Sequence, residues 1–164
     1  MQAITIDATS PYLPALRSLY ERSFPTNERR ELKDLFTVFG SAHEMLVFLH
    51  EGRFAGFVSL LSLHDLTHIL YLAIEDDLRG QGLGSEALQL IRAHKPSARI
   101  LADLEDEVPG ADNNAQRIRR MAFYRRGGYL PSAVRYTWRG ENYVMYVSGG
   151  ELTNEEFEAF WDHF

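Results

Sequence analysis

The stretch Tyr71–Leu88 constrains this chain more than any other. An apolar, strand-like run ends at Ile74, glycines follow at positions 80, 82 and 84, and an amphipathic helical pattern leaves from there. Glycines let a backbone turn tightly and let a ligand approach where a Cβ would intrude. The first amides of a helix have no partner inside it and carry the positive end of its dipole, so such a turn suits a phosphate. Arg79 adds a positive charge at the edge. The plainer reading is a strand-to-helix turn with no ligand. Two phosphate fingerprints fail: counting G-x-G-x-x-G from Gly80 puts Ser85 in the last place, and no Gly-Lys-Ser/Thr follows as a P-loop requires.

Around this stretch the pattern alternates between strands and helices. Ala3–Ile6 reads as a short strand, and Tyr12–Phe24 and Asn27–Phe39 read as helices. In the second helix Leu32, Leu35, Phe36 and Phe39 form one stripe. Met45–His50, Phe54–Leu63 and His68–Ile74 are β-rich runs broken at Glu51-Gly52-Arg53 and His64–Thr67, which predicts an antiparallel meander. Gly82–Lys95 is helical and stops at Pro96, Arg99–Leu104 is a strand, and Ala115–Arg126 is a helix closed by Gly127-Gly128. Ala133–Trp138 and Tyr143–Val147 pair around Arg139–Asn142. In the last helix, at about 153–164, Thr153 and Glu156 have capping-box spacing, and Phe157, Phe160, Trp161 and Phe164 make an apolar stripe. Its polar face is acidic, so packing on the body or on a dimer mate is favoured over anionic lipid. The order predicts an α+β fold, a mixed central β-sheet flanked by helices, in one domain of residues 1–164.

Bulk properties narrow the function. A net charge of −6 lacks the basic footprint that nucleic acid demands. The absence of cysteine rules out disulfides, thiolate zinc sites and a cysteine nucleophile. No signal-peptide pattern opens the chain, and no apolar run approaches the roughly 18 residues that cross a bilayer. A cytoplasmic location, no membrane partner and no nucleic-acid partner are the expectations.

Arg79-Gly80-Gln81-Gly82-Leu83-Gly84 resembles the Arg/Gln-x-x-Gly-x-Gly/Ala pattern of the GNAT (acyl-CoA N-acyltransferase) superfamily. A second stretch, Ala122-Phe123-Tyr124-Arg125-Arg126-Gly127-Gly128-Tyr129, is similar to that family's A-x-x-F-Y-x-x-x-G-[FY] helix end. The resemblance covers roughly Ala3 to Val147. It implies the GNAT fold and an acetyltransferase using acetyl-CoA as co-substrate, with a small-molecule or peptide amine as acceptor. The amides of Gln81, Gly82, Leu83, Gly84 and Ser85 would bind the pyrophosphate, with Arg79 and Gly80 at the edge. Leu72, Ala73 and Ile74 would line the pantetheine, and an amide near Leu72 or Ala73 would face the oxyanion. A homodimer is a further expectation, since many members form one.

The same resemblance supplies roles for titratable groups. Deprotonating an alkylammonium at pH 7 costs roughly 4 kcal/mol, so a base or a water relay is wanted. Glu105 is the first candidate, with Glu107 and Glu75 behind it; a solvated acidic loop explains 104–107 equally. Tyr124 matches the family's proton donor to the departing thiolate, and a buried structural tyrosine is the alternative. Where many members carry a pantetheine-binding asparagine, this chain has Arg117. Phe24-Pro25-Thr26-Asn27-Glu28-Arg29 is similar to a stretch bordering the acceptor pocket, which makes Glu28 and Arg29 substrate-binding candidates; helix capping by Thr26 would also explain it. A catalytically silent module that holds coenzyme A is the rival function.

Two other signals fall away. His64-Asp65-Leu66-Thr67-His68 imitates a zinc-protease H-E-x-x-H, which needs a helix. In a strand those histidines stand roughly 13 Å apart, so no metal is expected. No G-x-S-x-G elbow marks a serine hydrolase.

Overall fold

The computed structural model describes residues 1–164. Seven strands form a mixed sheet in the order β1-β2-β3-β4-β5-β7-β6. They are β1 Gln2–Ile6, β2 His43–His50, β3 Arg53–Leu63, β4 Leu66–Ile74, β5 Arg99–Glu105, β6 Leu130–Trp138 and β7 Glu141–Ser148. Five helices accompany them: α1 Leu13–Ser23, α2 Leu32–Leu35, α3 Leu83–His94, α4 Asn114–Arg126 and α5 Asn154–His163. The mixed sheet flanked by helices expected from the pattern is the architecture observed. No helix is long and apolar enough to cross a membrane.

The chain forms two compact units. The first comprises Met1–Ser62 with Ile69–His94, and the second Leu63–His68 with Lys95–Phe164.

In the first unit β1–β2 and β2–β3 pair antiparallel, as the meander predicts. Glu51 and Gly52 both take positive φ, 53° and 76°, and His50 faces Arg53 across them. That is the backbone of a two-residue I′ hairpin, whose twist matches the strands. On α1, Leu16, Leu19 and Tyr20 fall on one stripe and are buried with Met45, Val47, Phe57, Tyr71 and Ala73. The helix predicted over Asn27–Phe39 is corrected: only Leu32–Leu35 is α-helical. Leu32 and Leu35 still reach the core, and Phe36 and Phe39 pack against it from turns. Thr26 does not cap a helix; its hydroxyl accepts from the Arg29 guanidinium at 2.9 Å.

His43 is tucked beside Ser59, Nε2 to Oγ 2.6 Å. Burial lowers its imidazole to about 4 from the ordinary 6.5, outweighing the opposing pull of Glu44. Between those values the unfolded chain binds a proton that the folded chain refuses, so stability falls as pH drops through that window. His43→Gln should flatten the fall, as read by urea unfolding at a series of pH values; an unaltered slope would clear His43 of the effect.

In the second unit β7 pairs antiparallel with β5 and β6, and Arg139-Gly140, at φ 50° and 84°, turn β6 into β7. β6 starts at Leu130 rather than Ala133, because a register shift between Pro131 and Arg135 lets pairing continue past the proline. Helix α5 carries the full Thr153–Glu156 capping box. Its apolar stripe packs within this unit: Phe160 is buried, Phe157 stacks on Tyr136 at 5.4 Å, and Arg99 ties Glu156 and Asp65 at 2.6 and 2.8 Å.

Candidate active site

The glycine turn lies wholly in the first unit. After β4, a 3-10 turn at Asp76–Leu78 leads to Arg79, and Gly80 and Gly82 adopt φ of 80° and 76°. An L side chain at such a φ costs about 1–2 kcal/mol, so glycine is the natural occupant. A Cβ built on either glycine would meet nothing within 4 Å. The need is conformational, and the space in front of the backbone is open. The first bond of α3 runs from the Glu86 amide to the Gly82 carbonyl at 3.2 Å. The amides of Leu83, Gly84 and Ser85 therefore precede the helical ladder. Leu83 is buried and anchors the turn with Ala87, Leu88 and Ile91, while Gln81 and Ser85 are exposed. This cradle suits a diphosphate: neutral donors, open space and a helix dipole pointing outward.

Arg79 adds less than its charge promises. Its guanidinium lies 2.9 Å from Asp76, with both side chains 61% exposed. A surface pair of this kind is weak, about 0–1 kcal/mol, so a phosphate can displace it.

The edge Leu72–Ile74 is shaped by a residue that pattern reading passed over. Gly56, inside β3, has the Ala73 carbonyl only 2.3 Å from where its Cβ would sit. The Glu75 amide donates to the Ala55 carbonyl at 2.8 Å, closing that end of β4 on β3. A glycine inside a strand signals close approach of another backbone, and that signal was present in the sequence.

The segment carrying Glu28 and Arg29 is a loop held by two tyrosines. Tyr71, on β4, donates its hydroxyl to the Glu28 carbonyl at 2.8 Å and accepts from the Arg30 amide at 3.1 Å. Tyr20 donates to the Arg30 carbonyl at 2.7 Å, and burial raises its phenol far above the ordinary value. Glu75, a secondary base candidate, is ion-paired with Arg22 at 2.9 Å.

The second unit holds the other titratable candidates. Tyr124 is 2% exposed, its ring edge-on to Phe123 and Tyr129. Burial raises its phenol, against a lowering influence from the Arg120 guanidinium, and the group stays protonated at neutral pH. Glu105, the last residue of β5, lies 2.9 Å from Arg117. Arg117 is itself 9% exposed and also holds Glu141 at 3.3 Å and the Asp106 carbonyl at 3.0 Å. It ties α4 to β5 and β7.

Beside these is an arrangement the sequence did not reveal. Asp103 Oδ1 lies 3.1 Å from His68 Nε2, and its Oδ2 accepts from the Tyr136 hydroxyl at 2.7 Å. Burial pushes the Asp103 carboxyl up, but its hydrogen bonds outweigh that and hold it below the usual range. His64, its partner in the spurious zinc motif, stands in the turn before β4 at φ 55°. These pairings span 33 to 35 residues, beyond the reach of local periodicity.

The comparisons agree with the fold. The model of the acetyltransferase (GNAT) family matches residues 13–129. In structure the chain is similar to a Bacteroides thetaiotaomicron protein assigned to the GNAT acetyltransferases, at 19% identity over 99% of this chain and 95% of that one, with TM-score 0.81. It is also similar to the ribosomal-protein-S18-alanine N-acetyltransferase of Escherichia coli, at 18% identity over 94% and 97%, TM-score 0.65. A third likeness is to a GNAT family acetyltransferase of Elizabethkingia anophelis with acetyl-CoA bound, at 15% identity over 92% and 97%, TM-score 0.60. No curated protein matches the chain. Fold and family model together define an acetyltransferase domain. The chain belongs to the GNAT acetyltransferase family.

Proposed function

We propose that this chain transfers the acetyl group of acetyl-CoA to a primary amine by direct attack in a ternary complex. The observation that carries the reading is the open glycine cradle ahead of α3 in a chain of this family. When bound, acetyl-CoA would supply an activated acyl group on a thiol leaving group.

The chain's own residues then divide the work. The amides of Gln81 to Ser85 hold the pyrophosphate. Leu72–Ile74 offers main-chain donors and acceptors to the pantetheine arm, and an amide near Leu72 or Ala73 steadies negative charge on the carbonyl oxygen. Tyr124, kept protonated by burial, serves as the acid for the thiolate. Glu105 takes the ammonium proton, directly or through water, in competition with its Arg117 partner.

The test is release of free thiol from acetyl-CoA against a panel of primary amines, alongside calorimetric binding of the coenzyme. Tyr124→Phe should lower turnover by about a hundredfold or more with little change in coenzyme affinity, the lower end of what general acid catalysis contributes. Turnover at the parent rate would exclude the acid role.

A second reading has specific support: Tyr124 is almost wholly buried and Glu105 already paired, as in a chain that binds coenzyme A without catalysis. Binding of the coenzyme with no turnover on any amine would favour that module.

A further inference from the structure

We propose that Asp103 is the anchor for the ammonium group of the acceptor, a role that rests on the amine-acetylating reading. Its carboxylate is the one charged group of the His68–Asp103–Tyr136 arrangement that keeps surface open: 26% of the side chain, against 3% for His68.

Three features make it a binding group rather than a mere core ion pair. First, its donors are immobilised. Tyr136 is stacked between Tyr143 and Phe157 at 5.2 and 5.4 Å, and His68 lies edge-on to Phe160 and Trp161 at 6.1 and 5.6 Å. A recognition group is effective when its supports are locked by packing in this way. Second, the carboxylate has spare capacity. A carboxylate offers about four lone-pair sites, and the two donors from His68 and Tyr136 leave room for a ligand. Third, the site carries an unresolved cost. With Nε2 on Asp103, the buried Nδ1 of His68 has no hydrogen-bond partner within the chain, and a buried orphan of this kind needs an explanation, structural or functional.

An ionised carboxylate favours a cation. In the same unit the guanidinium groups of Arg117 and Arg135 are engaged by Glu105, Glu141 and Asp106, and that of Arg120 lies against the Tyr124 hydroxyl. A hydrogen bond to an ionised carboxylate is about twice as strong as one between neutral groups, and a cationic donor adds Coulomb attraction to it.

The probe is 1,4-diaminobutane, with 1,4-butanediol as the neutral match, titrated into the full chain while the Trp161 indole N–H is followed by NMR. The diamine should shift that signal saturably and the diol should not. Asp103→Asn should weaken the diamine response at least about tenfold, whereas Asp112→Asn, an equal loss of charge on an exposed residue of the turn before α4, should leave it intact. Equal responses to diamine and diol, no saturation, or equal weakening by the two variants would each overturn the proposal. The diamine–diol contrast in the parent chain decides even if Asp103→Asn fails to fold. Acetyl-CoA binding is measured separately, so a chain that binds coenzyme but not diamine refutes the anchor alone, and the reverse refutes the proposed reaction.

Discussion

Gly56→Ala is expected to destabilise the chain by about 3 kcal/mol, at the upper end of what overpacking a dense core costs. A Cβ there would stand 2.3 Å from the Ala73 carbonyl and 2.9 Å from Ile74 Cδ1. The nearest atom is backbone, so relief must come from moving the end of β4 rather than rotating a side chain. In the proposed function that edge lines the pantetheine arm, so coenzyme affinity should fall at least tenfold in whatever protein remains folded. For a chain of this length the melting temperature should drop by roughly 10 °C. Gly52→Ala is the matched control: it meets no atom within 4 Å and suffers only from its φ of 76°, which predicts a loss of about 1 kcal/mol and unaltered coenzyme binding. Thermal unfolding and calorimetry on the two variants separate the cases. Equal behaviour would mean that β4 does not depend on the missing side chain.

The second large effect is at Gly82. Gly82→Trp should leave the fold nearly intact, because a Cβ there meets no atom within 4 Å and the strain of φ 76° costs only about 1–2 kcal/mol. The indole would instead fill the room in front of the Leu83, Gly84 and Ser85 amides. Coenzyme affinity should drop at least a hundredfold by calorimetry, while Gly82→Ala, which adds strain without bulk, should lose much less. Unchanged affinity in the tryptophan variant would remove the turn from the binding account.

Much of this was legible along the chain, for reasons that can be named. The turn at 79–85, the α3 stripe of Leu83, Ala87, Leu88 and Ile91, and the Thr153–Glu156 box are local patterns, and local patterns survive folding when burial agrees with them. The Asn27–Phe39 helix did not survive. Its N-terminal half gives its backbone groups to Tyr71 and Tyr20, residues from other elements, and helical periodicity cannot register that competition. The pairing of Arg117 with Glu105 and Glu141 was equally hidden, since a run of arginines on a helix reads as solvated until its partners are known. Asp103 was silent for the same reason: its meaning lies in His68 and Tyr136, each more than thirty residues away. Gly56 is different. A glycine inside an eleven-residue strand is itself a local signal of close backbone approach.

The most direct measurement is a titration of the 15N-labelled chain with acetyl-CoA, following backbone amides. Saturable shifts of Gln81, Gly82, Leu83, Gly84 and Ser85, reproduced by coenzyme A without the acetyl group, are the expected result. A folded chain whose amides at these five positions stay in place at saturating coenzyme would contradict the account at its base.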